Sequence, residues 1–109
     1  MATTYKILGQ AADDPGVVQT LYTVPAATQA VVSTITVANV TTAATDFNIN
    51  IVPSGGSAGY TNILAKDVAL AANDTTTLTL GLTLGAGDSI VVSSDAGETC
   101  FQAFGSEIS

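Results

Sequence analysis

The sequence predicts an all-β protein, one antiparallel β-sandwich spanning residues 1–109 that is jelly-roll-like, with an immunoglobulin-like sandwich as the alternative. Three observations carry this. Thr77-Leu78-Thr79-Leu80-Gly81-Leu82-Thr83-Leu84 alternates with period two, so four leucines share one face of an extended strand and Thr77, Thr79, Gly81 and Thr83 share the other. Turn-forming Gly, Pro, Asn and Asp recur at the short intervals of a sandwich or barrel. The chain has one cysteine and no tryptophan, so the Cys…Trp…Cys pattern of immunoglobulin domains is missing and the jelly roll is preferred.

Taken in order, the first candidate strand is Tyr5–Gln10. It is followed by Asp14-Pro15-Gly16-Val17, a type II turn in which Pro presets φ near −65° and Gly accepts a positive φ. Val17–Val24 is the second strand and Pro25–Thr28 the next break. Val31–Val37 is dense in β-branched residues, which pack well on a pleated surface, and its alternation predicts Val31, Ile35 and Val37 on one face of a central strand. After a break at Thr41–Thr45, Asp46–Ile51 alternates with Phe47, Ile49 and Ile51 inward. The Gly/Ser loop Pro53–Gly59 leads into a short strand at Tyr60–Leu64, while the Ala/Leu content of Leu64–Ala72 makes a short helix locally plausible. Ala71–Asp74 is the turn before the Thr/Leu strand. Breaks at Gly85–Asp88 and Asp95–Glu98 then frame strands at Ser89–Ser93 and Thr99–Gly105, for a total of about eight. The predicted core is Phe47, Ile49, Ile51, Leu78, Leu80, Leu82 and Leu84.

Composition excludes several functions. Against nine carboxylates there are only two cations, Lys6 and Lys66, and the formal charge of −7 repels phosphate backbones and anionic lipid. Nucleic acid and membrane are therefore not expected partners. The opening Met-Ala-Thr-Thr-Tyr-Lys carries no basic segment followed by an apolar run, and no stretch approaches the roughly 18–20 apolar residues that span a bilayer, so a protein made in a cytoplasm is expected. Only 10% of residues are charged, and Thr, Ser, Asn and Gly supply most of the remaining polarity, a surface that desolvates cheaply on association. Cys100 has no partner for an intramolecular disulfide and is expected to be a buried small hydrophobe. The six aromatic residues, Tyr5, Tyr22, Tyr60, Phe47, Phe101 and Phe104, should mostly be core.

Motifs for catalysis are weak. Gly55-Gly56-Ser57-Ala58-Gly59 matches G-x-S-x-G, the nucleophile elbow, but the chain contains no histidine to act as base and no parallel-sheet pattern to hold the turn. The same glycines lack the Lys and following helix of a phosphate-binding loop. Asp13, Asp14, Asp67, Asp74, Asp88, Asp95 and Glu98 sit mostly at turns, without the D-x-[DN]-x-[DN]-G spacing of a calcium loop. A glycosidase pair of carboxylates would find no Trp to stack a sugar. Asn39-Val40-Thr41 and Asn73-Asp74-Thr75 are formal glycosylation sequons, read here as strand-end and turn residues. No enzyme activity, cofactor or metal is expected.

Leu21-Tyr22-Thr23-Val24-Pro25, Val31–Asn39, Ala72–Leu78 and the closing Phe104-Gly105-Ser106-Glu107-Ile108 resemble small virion structural proteins of tailed bacteriophages, especially cyanophages. The resemblance implies a non-enzymatic part of a virus particle. Small single-domain members include capsid decoration, or cement, proteins, and the resemblance thus implies a homotrimer on the outer surface of the head, bound to the major capsid protein. Tail-fibre, baseplate or other receptor-contacting modules are the alternative it leaves open. The terminal stretches Thr4–Gln10 and Thr99–Ile108 carry apolar residues on both faces, which places the expected interface on Tyr5, Ile7, Leu8, Phe101, Phe104 and Ile108.

Overall fold

The computed structural model of the chain describes residues 2–13, 18–95 and 99–109. The predicted turn Asp14-Pro15-Gly16-Val17 and positions 96–98 of the Asp95–Glu98 loop lie outside the described residues. Eight strands are described: β1 (Thr3–Asp13), β2 (Gln19–Thr23), β3 (Gln29–Asn39), β4 (Thr45–Val52), β5 (Ile63–Leu70), β6 (Thr75–Leu84), β7 (Ser89–Ser94) and β8 (Thr99–Ile108). They form two four-stranded sheets, ordered β1-β8-β3-β6 (sheet A) and β2-β7-β4-β5 (sheet B), and the pairings are antiparallel. Each sheet interleaves strands from the two ends of the chain. That double Greek key is the jelly roll; the immunoglobulin alternative, whose sheets are ordered ABED and CFG, does not fit.

Inward residues of the two sheets make one core. Val32, Ile35, Val37, Phe101 and Ala103 from sheet A face Phe47, Ile49, Ile90 and Val92 from sheet B, with little or no exposure. Phe47 meets Phe101 edge to face across the sheets, the ring centroids 6.3 Å apart and the planes at 75°, an arrangement favoured by the ring quadrupoles.

Several expectations change. Leu64–Ala72 is not helical: Ile63–Leu70 is edge strand β5, preceded by a 3₁₀ turn at Tyr60–Asn62 where the first half of a strand was predicted. Helix propensity loses here because the strand pairs with β4 and buries Leu70. Its register breaks where Asp67 adopts φ 50°, and the Asp67 N–H donates to Asn48 Oδ1 at 2.8 Å. Of the predicted core, Phe47, Ile49 and Leu84 are buried, but Ile51, Leu78, Leu80 and Leu82 are only half-buried and pack against the core from its margin. For the leucines the cause is topological, since β6 is an edge strand.

Val31 also moves. A register shift between Val32 and Thr34 occurs in both pairings of β3, so the inward set changes from Ala30 and Val32 to Ile35, Val37 and Asn39, and Val31 turns outward. The same irregularity crosses the whole sheet, with Leu8 of β1 skipped between Ile7 and Gly9, and Leu80 and Gly81 of β6 skipped opposite Ser33. These are β-bulges, which bend a strand and increase its twist. Gly105 lies in this row, where a Cβ would be driven into the Val31 carbonyl oxygen; at Gly9 it would be driven into that of Leu21.

The first sequon serves folding. Asn39 is 2% exposed, and its Nδ2 donates to the carbonyls of Ala43 and Ala71 at 2.7 and 3.2 Å while its Oδ1 accepts from the Thr41 N–H and hydroxyl. The second lies in the β5–β6 turn, where Asn73 has φ 56°. In chemical denaturation, Ile35→Ala should cost about 2–5 kcal/mol, Leu80→Ala about 1–2, and the exposed Thr79→Ala less than about 1. Gly105→Ala should cost at least as much as Leu80→Ala, because the Val31 carbonyl cannot retreat without breaking the β3–β8 ladder. Equal costs at Ile35 and Thr79 would show the faces to be reversed.

Candidate interaction surface

Residues directly opposite in an antiparallel ladder point to the same face. Because Ala30, Val32, Ile35 and Val37 point inward, the intervening register rows identify the outer face of sheet A. One row joins Tyr5, Ser106, Val31 and Thr83; the next joins Ile7, Phe104, Thr34 and Thr79. Tyr5 is 84% exposed and Ile7 52%, while Val31, Phe104 and Ile108 are half-buried. Tyr5, Ile7, Val31 and Phe104 line an open groove of about 600 Å³ that runs across β1, β8 and β3. Ser33 Oγ donates to the Phe104 carbonyl at 3.2 Å on its floor. Toward the other end of the sheet the face becomes polar but uncharged, with Gln10 bonded to Gln102 at 3.0 Å and a row of threonines along β6.

Charge distribution makes this face unusual. The described acidic side chains Asp46, Asp67, Asp74, Asp88 and Asp95 belong to sheet B and the turns, and Glu107, although in β8, lies opposite inward-facing Ala30. Among the described residues, no outward position of sheet A carries a carboxylate. An acidic chain thus presents, among the described residues, one broad face without outward carboxylates, with Lys6 bordering the groove and paired to Glu107.

Of the six predicted interface residues, the structure brings Tyr5, Ile7, Phe104 and Ile108 onto this face. Leu8 and Phe101 are core residues, 8% and 0% exposed, and are corrected as surface candidates. Phe101 is an ordinary inward position of β8, and Leu8 follows outward Ile7 at the bulge and faces the core. Val31 is the groove residue that sequence reasoning missed, because simple alternation assigns it to the core. Cys100, expected in the core, is half-buried and outward, paired with Ala12 and Ala38. Three of the six aromatics, Tyr22, Phe47 and Phe101, are buried, Phe104 is half-buried, and Tyr5 and Tyr60 are exposed, so the expectation that most are core holds for half of them. Ser57 lies on an exposed loop, its carbonyl accepting from Asn62 Nδ2 at 2.9 Å.

At one end of the groove, Glu107 ties three strands together. Its carboxylate accepts from the Tyr22 hydroxyl of β2 at 2.5 Å and pairs with Lys6 of β1 at 3.2 Å. The Tyr22 bond, helped by Lys6, holds the Glu107 carboxyl below the usual carboxylate range, outweighing partial burial that acts the other way. Tyr22 is pushed above the usual phenol range, first by burial and then by its bond to Glu107. A carboxylate depressed in the folded state contributes stability above its unfolded value, near 4.3, and that stability disappears as pH falls through the folded value. Tyr22→Phe should therefore raise the Glu107 pKa in a carbon-detected NMR titration and flatten the acid limb of stability against pH. An unchanged Glu107 titration would contradict the role of the hydroxyl.

The eight-stranded jelly roll is the class that fold and surface define. No known sequence family matches the chain, and no curated protein matches it. Among solved structures it is similar to VP2 in an infectious bursal disease virus subviral particle, with a TM-score of 0.51 and 15% identity over 97% of this chain and 32% of that one. Structures of the Gx and Gt strains of the same virus align at a TM-score of 0.47, with 15% and 11% identity over 97% and 96% of this chain and 30% and 31% of theirs. This chain spans about a third of the length of those chains. At this identity the likeness is one of fold.

Proposed function

We propose that this chain is a non-enzymatic virion structural protein, a decoration (cement) protein that assembles as a homotrimer and binds the outer surface of a phage head. The observation that carries the reading is the outer face of sheet A, without outward carboxylates among the described residues and apolar at the β1–β8 end, on a chain of charge −7. Identical acidic subunits repel one another, so a self-contact forms most readily where their charges are absent. Tyr5 and Ile7 provide apolar area at that place, and half-buried Phe104 and Val31 shape the groove between strands. Support for a particle context comes from the resemblance of the strand and turn text to phage virion proteins and from a jelly roll shared with VP2 of a subviral particle.

The mechanism is mass action. A trimer that binds neighbouring major capsid protein subunits in the assembled shell, and not the separated subunits, stabilises the shell by RT ln(1 + [L]/Kd) without any chemical step. With two cations against nine carboxylates, the charge of this chain suits an external position and not contact with the genome.

Multi-angle light scattering of the purified protein should give three times the 10.9 kDa chain mass. Added to purified heads that lack it, the protein should raise their melting temperature and contribute density between capsomers. Ile7→Asp should lower the mass toward the monomer while the monomer retains its β spectrum. A wild-type monomer would overturn the trimer, and density on the tail would overturn the capsid assignment.

A further inference from the structure

The outer face of sheet B carries a second site, remote from the groove on sheet A. Asn48 and Asn50 alternate with inward Phe47 and Ile49, so both amides point outward, and Ser93 lies directly opposite Asn48 on β7. With Tyr60, Ile63 and Lys66 they line an open pocket of about 350 Å³. Tyr60 is 84% exposed although it belongs to a firmly held segment. Asn62 Oδ1 accepts from the Gly59 N–H at 3.1 Å and from Asn50 Nδ2 at 2.8 Å, Asn50 Nδ2 also donates to the Gly59 carbonyl at 3.1 Å, and Asn62 Nδ2 fastens the Ser57 carbonyl. The amides thus fix the backbone beneath a ring that itself contacts solvent.

We propose that this pocket binds one neutral pyranose unit of a polysaccharide, with the apolar face of the sugar on Tyr60 and its hydroxyls on Asn48, Asn50 and Ser93. Four observations fit that class. An exposed aromatic on a fixed backbone offers a flat apolar surface, and only the two side-chain torsions of the ring remain to be ordered on binding. The adjacent side chains supply both donors and acceptors, as a vicinal diol requires, and among the described residues Asn50 Oδ1 and the Tyr60 hydroxyl make no bond within the chain. The volume is at the small end for ligand pockets and fits one ring. An anionic ligand is disfavoured, because the only pocket cation, Lys66, is paired with Asp67 at 3.0 Å and the chain as a whole is acidic. The site stands apart from the assembly face, so a trimer on a particle would present several copies and gain avidity from repetition.

The test is a ¹⁵N–¹H NMR titration of the full chain, in its native oligomeric state, with the methyl pyranosides of glucose, galactose, mannose and N-acetylglucosamine. At least one should bind with a Kd of about 1–10 mM, the range for a single small ring, and shift the amides of Asn50, Tyr60, Lys66 and Ser93. Tyr60→Ala should weaken binding about tenfold while leaving the spectrum of sheet A and the molar mass unchanged, and Tyr60→Phe should retain most of the affinity. Absence of shifts with all four sugars would overturn the proposal. So would shifts confined to other surfaces, or binding undiminished in Tyr60→Ala.

Discussion

The row of β-bulges across sheet A is the constraint on which the rest of this structure depends. A strand has a strict two-residue period, so an extra residue exchanges its inner and outer faces from that point onward. In β3 the exchange puts Ile35 and Val37 into the core while Val31 remains outside. In β1 Leu8 is the skipped residue, so Tyr5 and Ile7 face outward before it while Gly9 and Ala11 pair with inward Ala103 and Phe101 after it. The strands can stay packed through the bend because Gly105 offers no Cβ to the Val31 carbonyl. In β3 the positions of Val31 on the groove and of Ile35 and Val37 in the core follow from one irregularity.

From that surface the functional reading is a matter of electrostatics and area. The outer face of sheet A combines two exposed large apolar side chains, two half-buried ones and a threonine margin, while the described acids gather on the turns and the other sheet. Exposed apolar residues bordered by uncharged polar ones are a composition found in protein contact sites. In the proposed assembly, charge on the turns would oppose other orientations, which suits few, defined contacts better than open-ended stacking. Tyr60 lies in the 3₁₀ turn before β5, on the sheet B side, and the proposed covering of sheet A would leave it available.

Much of the fold could be read from residue order. Strict alternation in Thr77–Leu84 and Asp46–Ile51 and the spacing of turn residues identified strands, and the missing Cys…Trp…Cys pattern favoured the jelly roll that the sheet order displays. Bulges were not legible, since nothing in Val31-Val32-Ser33-Thr34 marks which residue is the extra one, and Val31 was misassigned for that reason; Leu8 and Phe101 were placed at the surface because apolar residues on both faces of a terminal strand do not tell which face is the core. Edge position was equally hidden. The leucines of β6 have a core pattern, but their burial depends on which strands lie beside them, a property of topology and not of local sequence. Leu64–Ala72 misled through composition, because pairing with β4 outweighs the modest helix preference of Ala and Leu. In the candidate surface, Tyr5, Ile7, Phe104 and Ile108 were accessible to sequence reasoning as excess apolar residues on terminal strands. The absence of acids around them required the register.

Tyr5 and Tyr60 provide the most direct test of the central claim, that the outer face of sheet A is covered by other subunits. Each is 84% exposed in the single chain, one on each sheet's side of the sandwich. Hydroxyl-radical footprinting of the assembled protein, without added sugar, should modify Tyr60 freely and leave Tyr5 protected, with protection lost in Ile7→Asp. Equal modification of the two tyrosines in the wild-type protein would contradict the account.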